Sequence, residues 1–198
     1  MMTTELILKL VFFVVPLAYS AGPNNIMCAV IGSRYGLKKT IPFIAGINVN
    51  IFMYSMLIGF GLSRLINAFP WVQDVFRYGG AVFILYLAYG FFRSSAMNEE
   101  KNRKIPGFTE GFIVNSLNPK TITALVIIFA EFLPSTGNRL GNVFILSVFL
   151  VVLSMGSHFL WGLGGSTLTR YTRTEKGMKW IGYISGVMMV IVAVWIII

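Results

Sequence analysis

Apolar residues along this chain fall into six long runs, near residues 6–31, 40–62, 71–92, 108–133, 142–163 and 178–198, with short polar connections between them. Each run approaches the roughly 20 residues that carry a helix across a hydrocarbon core about 30 Å thick. The pattern predicts an all-α membrane protein of six transmembrane helices, with almost nothing left over for a soluble domain. Two runs are interrupted. The first contains AGPNN (21–25) and the fourth NSLNPKT (115–121). A proline within a helix removes one backbone hydrogen bond and clashes with the preceding turn, so each site is expected to break its helix in two. Such breaks are tolerated at membrane depth only where protein or a wet cavity satisfies the freed backbone groups.

The longest connection, RSSAMNEEKNRKIPG (93–107), is polar, mixed in charge and ends in Pro-Gly, as an exposed linker does. It leaves three runs on each side. Because three is odd, the second half enters the membrane in the opposite sense to the first, which predicts two inverted three-helix repeats. The chain is then one transporter domain, 1–198, made of repeat one (about 1–93), a cytoplasmic linker (about 94–107) and repeat two (about 108–198). Broken helices 1 and 4 occupy matching places in the two halves, the arrangement that marks a transporter's binding site. Since they run in opposite directions, their second halves start near the midplane and point apart. Both positive dipole ends then face one central cavity, suited to a carboxylate.

Residue by residue, Gly22 or Ala21 ends the outer half-helix, Pro23 opens the next, and Asn24 and Asn25 lie beside its N-terminal N–H groups. In the fourth run Asn118 caps the new half-helix, Pro119 takes its first position and Lys120 follows. Lys120 falls about 13 residues into its run, roughly 20 Å from the edge. A lysine there costs at least about 2.5 kcal/mol and requires a partner, a cavity or a function. It either anchors an anionic group or snorkels to the interface. Asn24, Asn25, Asn115 and Asn118 are each explained equally well as amides bonding helix to helix. Clustered around two prolines they favour a substrate cavity, because an amide offers both donor and acceptor. Asn50 shares a helical face with Pro42, Gly46 and Tyr54 that should point inward, whereas Asn48 falls off that face. Helix packing accounts for both at least as well. His158 shares a face with Ser154 and Gly162. As the only histidine it is a candidate proton relay near neutral pH, although a buried histidine that merely hydrogen-bonds is the simpler reading. Gly182 and Gly186 form a small-residue packing pair.

Composition agrees with the membrane reading: 56% of the 198 residues are apolar and 12% charged, far from an ordinary soluble domain. The net charge of +9 does not point to nucleic acid, since the basic residues are scattered over short loops. Arg34, Lys38, Lys39, Arg93, Lys101, Arg103, Lys104, Arg170, Arg173, Lys176 and Lys179 lie at the first, third and fifth connections. Only Lys9, Arg64, Arg77 and Arg139 lie on the other side. The positive-inside rule therefore puts both termini outside the cytoplasm. Lys9, the apolar stretch after it and AYSA (18–21) loosely match a cleaved signal, but hydrophobicity resumes at 26–31, so the segment is expected to be retained. A single cysteine, Cys28, allows no intramolecular disulfide and reads as a small buried apolar residue. No metal-ligand spacing, phosphate-cradling glycine loop or nucleophile with a base is present, so neither a metal, a cofactor nor an enzymatic activity is expected.

At AGPNN, the basic GSRYGLKKT turn, AGINVN and FTEGFIVNSLNPKT, the sequence resembles the LysE/RhtB family of bacterial amino-acid exporters over essentially its whole length. The pairing of GPN after the first run with NPK in the fourth carries the resemblance. It implies a multi-pass protein of the bacterial inner membrane that exports amino acids or small derivatives, driven by the proton gradient. It also puts Gly22, Pro23, Asn24, Asn118, Pro119 and Lys120 at the family's characteristic positions. The chain departs from the family at Ala21, where proline is usual, and at Asn50, where glycine is common. The doubled Asn24 and Asn25 resembles members that export cysteine and O-acetylserine. The implied partners are an amino-acid substrate and the lipid bilayer, with a homodimer admitted and no nucleic acid. A membrane thiol carrier would need a cysteine pair. A metal-ion exporter would want carboxylate clusters inside the runs, and the sequence has none.

Overall fold

The computed structural model of the chain describes residues 4–62, 71–96, 105–134, 137–170 and 175–197. Among them are eight α-helices and no strand: α1 (Thr4–Tyr19), α2 (Pro23–Tyr35), α3 (Leu37–Leu57), α4 (Trp71–Ala96), α5 (Phe108–Ser116), α6 (Pro119–Phe132), α7 (Arg139–Arg170) and α8 (Glu175–Ile197). A π-helical turn, Ile58–Leu62, extends α3 and contains Gly61 at φ 119°, a conformation that favours glycine.

The first and fourth apolar runs are each two helices, α1 with α2 and α5 with α6, bent by 51° and 64°. The chemistry of each break is local. Pro23 and Pro119 open α2 and α6, where a missing N–H costs nothing because that donor has no intrahelical partner. Pro16 and Pro42 lie within α1 and α3 without ending them. Helices also outrun their apolar stretches: α3 includes Lys38 and Lys39, and α4 continues to Ala96, three residues into the stretch read as linker. Residues 97–104 of that linker, and Arg64 and Arg173 of the charge pattern, lie outside the described residues.

The distribution of polarity is that of a protein in lipid. Phe12, Val82, Tyr86, Tyr89, Leu160 and Ile191 stand more than half exposed on outer faces. Asn24, Asn50, Asn115, Asn118, Ser157 and His158 are buried. Leu37–Gly61 and Arg139–Thr167 are each long and apolar enough to cross a bilayer, and counting each bent pair as one span gives four such elements among the described residues. α4 contributes a shorter apolar stretch, Tyr78–Tyr89.

Three pairings dominate the packing: α2 on α7, α3 on α5, and α4 on α8. Two apolar clusters result. One joins α2, α3, α4 and α8 around Met27, Ile31, Phe43, Ile47 and Met189, and includes the buried Cys28. The other joins α1, α6 and α7 around Leu10, Leu125, Phe129, Val143 and Leu146. The breaks lie between them. The α3–α5 crossing is closed by reciprocal glycines: a Cβ at Gly46 would collide with the Phe108 carbonyl, and one at Gly111 with the Phe43 carbonyl. Gly46→Ala should therefore lower the melting midpoint of the purified protein, a destabilisation of about 1–3 kcal/mol. Gly164→Ala, where a Cβ meets nothing within 4 Å, should leave it unchanged. Equal midpoints for the two variants would contradict the close crossing.

Candidate functional site

A helix that stops inside a membrane leaves carbonyls without partners, and those at the end of α1 are met by Ser20 and by side chains of α2, α6 and α7. At the end of α1, Ser20 Oγ donates to Leu17 O (2.9 Å), Ser157 Oγ to Ala18 O (2.8 Å) and Trp161 Nε1 to Tyr19 O (3.1 Å). Asn25 Nδ2 donates to both Ala18 O (2.7 Å) and Ser20 O (2.9 Å). Lys120 Nζ, reaching across from α6, donates to Ser20 Oγ (2.8 Å), Ser20 O (3.3 Å) and Ala21 O (3.3 Å). One break thus holds the charged side chain of the other. A cation at the second position of a helix opposes that helix's own dipole, and the negative end of α1 offsets it.

The two new helix starts differ. Asn118 Oδ1 accepts from Lys120 N (3.1 Å) and caps α6. α2 begins at Gly22 with no side-chain cap, so its first N–H groups are open to an anion. Gly22 is extended, at φ −172°, which any residue adopts. What its missing side chain provides is space: a Cβ there would lie 3.0 Å from Lys120 Nζ and 3.1 Å from its Cδ.

Both helix starts line one cavity of about 90 Å³, through Gly22, Asn24 and Asn25 of the first break and Asn118, Lys120 and Thr121 of the second. Ser154 and His158 of α7 add polar groups, and Val14, Leu17, Ile51, Leu125, Ile128 and Leu150 form an apolar wall. That volume holds several water-sized groups, the scale of a small amino acid. A second groove of about 520 Å³ runs between α2, α7 and α8, lined by Tyr19, Ile26, Val30, Trp161, Ile184 and Met188 among others, and offers no charged group.

Asn50 and Asn115 are not in the cavity lining. They lie behind it in a hydrogen-bonded row: Asn24 Nδ2 donates to Asn115 Oδ1 (2.6 Å), Asn115 Nδ2 to Asn50 Oδ1 (2.6 Å), and Asn50 Nδ2 to Ser116 Oγ (2.7 Å). Thr121 Oγ1 also donates to Asn115 Oδ1 (3.0 Å), and Tyr54 to Ser116 O (3.3 Å). The stripe of Gly46, Asn50 and Tyr54 therefore faces α5. Pro23 and Pro119 shape the breaks and contribute no lining atoms.

Asn48 falls off the face of Asn50, as the spacing predicts, and is not in the cavity lining, but it bonds two groups that are. Asn48 is buried; its Nδ2 donates to Ile44 O (2.8 Å) and meets His158 Nδ1 at 3.3 Å, while Ser154 Oγ donates to its Oδ1 (2.9 Å). Offset by two residues from Asn50, it faces α7 as Asn50 faces α5. The amide orientation makes His158 Nδ1 the acceptor and leaves the ring proton on Nε2. Ser157 and Trp161 were missed in the sequence, since an indole and a hydroxyl on α7 become informative only once α7 is seen beside the end of α1. Among the described residues no group of three His, Cys, Asp or Glu side chains comes together.

Comparison with known proteins finds one family and several relatives. The profile of the family described as LysE type translocator matches residues 15–198. The chain is 26% identical over 157 residues to a cysteine/O-acetylserine efflux protein of Salmonella choleraesuis (strain SC-B67), covering 79% of this chain and 80% of that protein. It is 27% identical over 170 residues to a leucine efflux protein of Enterobacter sp. (strain 638), covering 81% and 80%. It is 24% identical over 147 residues to a homoserine/homoserine lactone efflux protein of Salmonella typhimurium, covering 70% of each. No solved structure matches.

Proposed function

The chain belongs to the LysE type translocator family, and from that premise we propose that it is a secondary active exporter of amino acids or small amino-acid derivatives in the bacterial inner membrane, driven by the proton gradient. One observation carries the reading: two broken helices open onto a single cavity that holds Lys120 and the uncapped start of α2. A cargo carboxylate finds a cation and free N–H groups there. The cargoes in the names of the relatives all carry an α-amine beside a carboxyl-level carbon, free or esterified. The apolar wall suits a short uncharged side chain.

The six runs as six spans in two inverted repeats fit the matched breaks and the pairing of α4 with α8, which the repeat relation maps onto itself. With both termini outside, α2 and α5 form the cytoplasmic halves of the broken spans, and their glycine-mediated contacts support a conformation closed on that side. The cavity runs instead along α1 and α6. His158 is the candidate proton site, and protonating Nδ1 requires the Asn48 amide to turn, which links the proton to α3.

Profiling the medium of overexpressing and deletion strains tests the reading. Overexpression should raise, and deletion lower, the external level of one or a few amino acids, and unchanged media would count against export. A reporter active only in the cytoplasm should fail when fused at Ile198; if it works there, the orientation is wrong.

A further inference from the structure

Asn24 ends a row of hydrogen bonds whose polarity is set at the opposite end. The Ser116 hydroxyl donates its proton to Phe112 O (2.8 Å), so it accepts from Asn50 Nδ2. Asn50 must then present Oδ1 to Asn115 Nδ2, and Asn115 its Oδ1 to Asn24 Nδ2. Each amide has one carbonyl and one NH2 group, so the direction passes along unchanged and Asn24 is left with Oδ1 at the open end. Asn24 is 7% exposed and stands in the cavity wall, yet its Oδ1 has no hydrogen-bond partner in the protein. An acceptor buried without a partner is unfavourable and marks a place for a donor. Lys120 does not supply it, because its three protons face three acceptors at the end of α1. None of the residues lining the cavity is Asp or Glu, so no carboxylate is there to receive a positive charge.

Resting on the export reading above, we infer that Asn24 Oδ1 receives the α-ammonium of the cargo and that transport requires a free α-amine. The cargo carboxylate meets Lys120 and the start of α2. As it draws the Lys120 ammonium away, Ser20 O and Ala21 O are released to accept the remaining N–H bonds of the cargo. The lysine thus holds in the empty site the carbonyls that the cargo's own ammonium takes over. α-Hydroxy acids and N-acetylated amino acids lack the donors this exchange needs and are excluded.

The test uses the full chain in proteoliposomes loaded with L-leucine, its α-hydroxy analogue or N-acetyl-L-leucine, with the corresponding cysteine and homoserine series alongside. Wild type should favour the free amine over both analogues by roughly tenfold or more, the scale of one hydrogen bond to a charged group. Asn24→Leu should abolish that preference. Equal rates for amine and analogues in wild type would overturn the ammonium assignment and leave export standing. An Asn24→Leu protein that moves every cargo less but keeps the preference would overturn it too, because the residue would then be structural. Transport of no amine at all would remove the export reading, and this inference with it.

Discussion

Lys120→Gln should insert and accumulate like wild type yet lose roughly ten- to a hundred-fold in apparent cargo affinity, the scale of one charge-assisted hydrogen bond. The expectation follows from what the side chain touches. Its ammonium lies in the cavity wall and bridges to Ser20 and Ala21 at the end of α1. A glutamine amide reaches almost as far and still donates to Ser20, so the break stays closed. What disappears is the positive charge beside the N-termini of α2 and α6, the feature that would draw a carboxylate. The competing account makes Lys120 only a clamp between the two breaks. It predicts a protein that accumulates poorly or melts early, with export falling in proportion to its amount. Normal export by a normally accumulated variant would remove Lys120 from the site altogether. Asn48→Ala is not a neutral comparison, because Asn48 holds His158 and Ser154. Gly164→Ala, away from the cavity, serves instead.

The second large effect is on stability. Asn115 is fully buried, accepts from Asn24 and Thr121, and donates to Asn50, tying the two breaks to α3. Asn115→Leu keeps the branched shape but leaves two buried amides and the half-buried Thr121 hydroxyl without that partner. Each such group costs about 1–3 kcal/mol in water-soluble proteins and less between membrane helices, so a loss of about 2–4 kcal/mol is expected in total. Thermal unfolding in detergent reads this directly. An unchanged midpoint would mean that α3 and the breaks are held by apolar packing and the close glycine crossing alone.

Much of this was legible in the sequence because it is local. Long apolar runs specify membrane helices, since nothing else buries so many consecutive apolar residues, and up to four such elements stand among the described residues. Proline suits the first position of a helix, and both breaks fall where it follows a residue that leaves the helix, Gly22 before Pro23 and the capping Asn118 before Pro119, whereas Pro16 and Pro42 stay within their helices. The cap from Asn118 to Lys120 N spans two residues and needs no tertiary partner. The π-helical turn after α3 carried no comparable signal, because such a pair marks a break whereas Gly61 alone marks nothing.

The roles of the amides were another matter. Asn24, Asn25, Asn50 and Asn115 look alike in the sequence, each a polar residue in or beside an apolar run. Folding separates them: Asn25 closes the end of α1, Asn50 and Asn115 join α3 to α5, and Asn24 alone is left with a free acceptor at the cavity. His158 gains its tautomer from Asn48, 110 residues away, and Trp161 finds Tyr19 at a separation of 142. Hydrophobicity and proline chemistry act through the solvent and the nearest peptide bonds, and so are written in the local order of residues. Which donor meets which acceptor depends on the side chains that helix packing brings within 3 Å, and only the tertiary structure decides that.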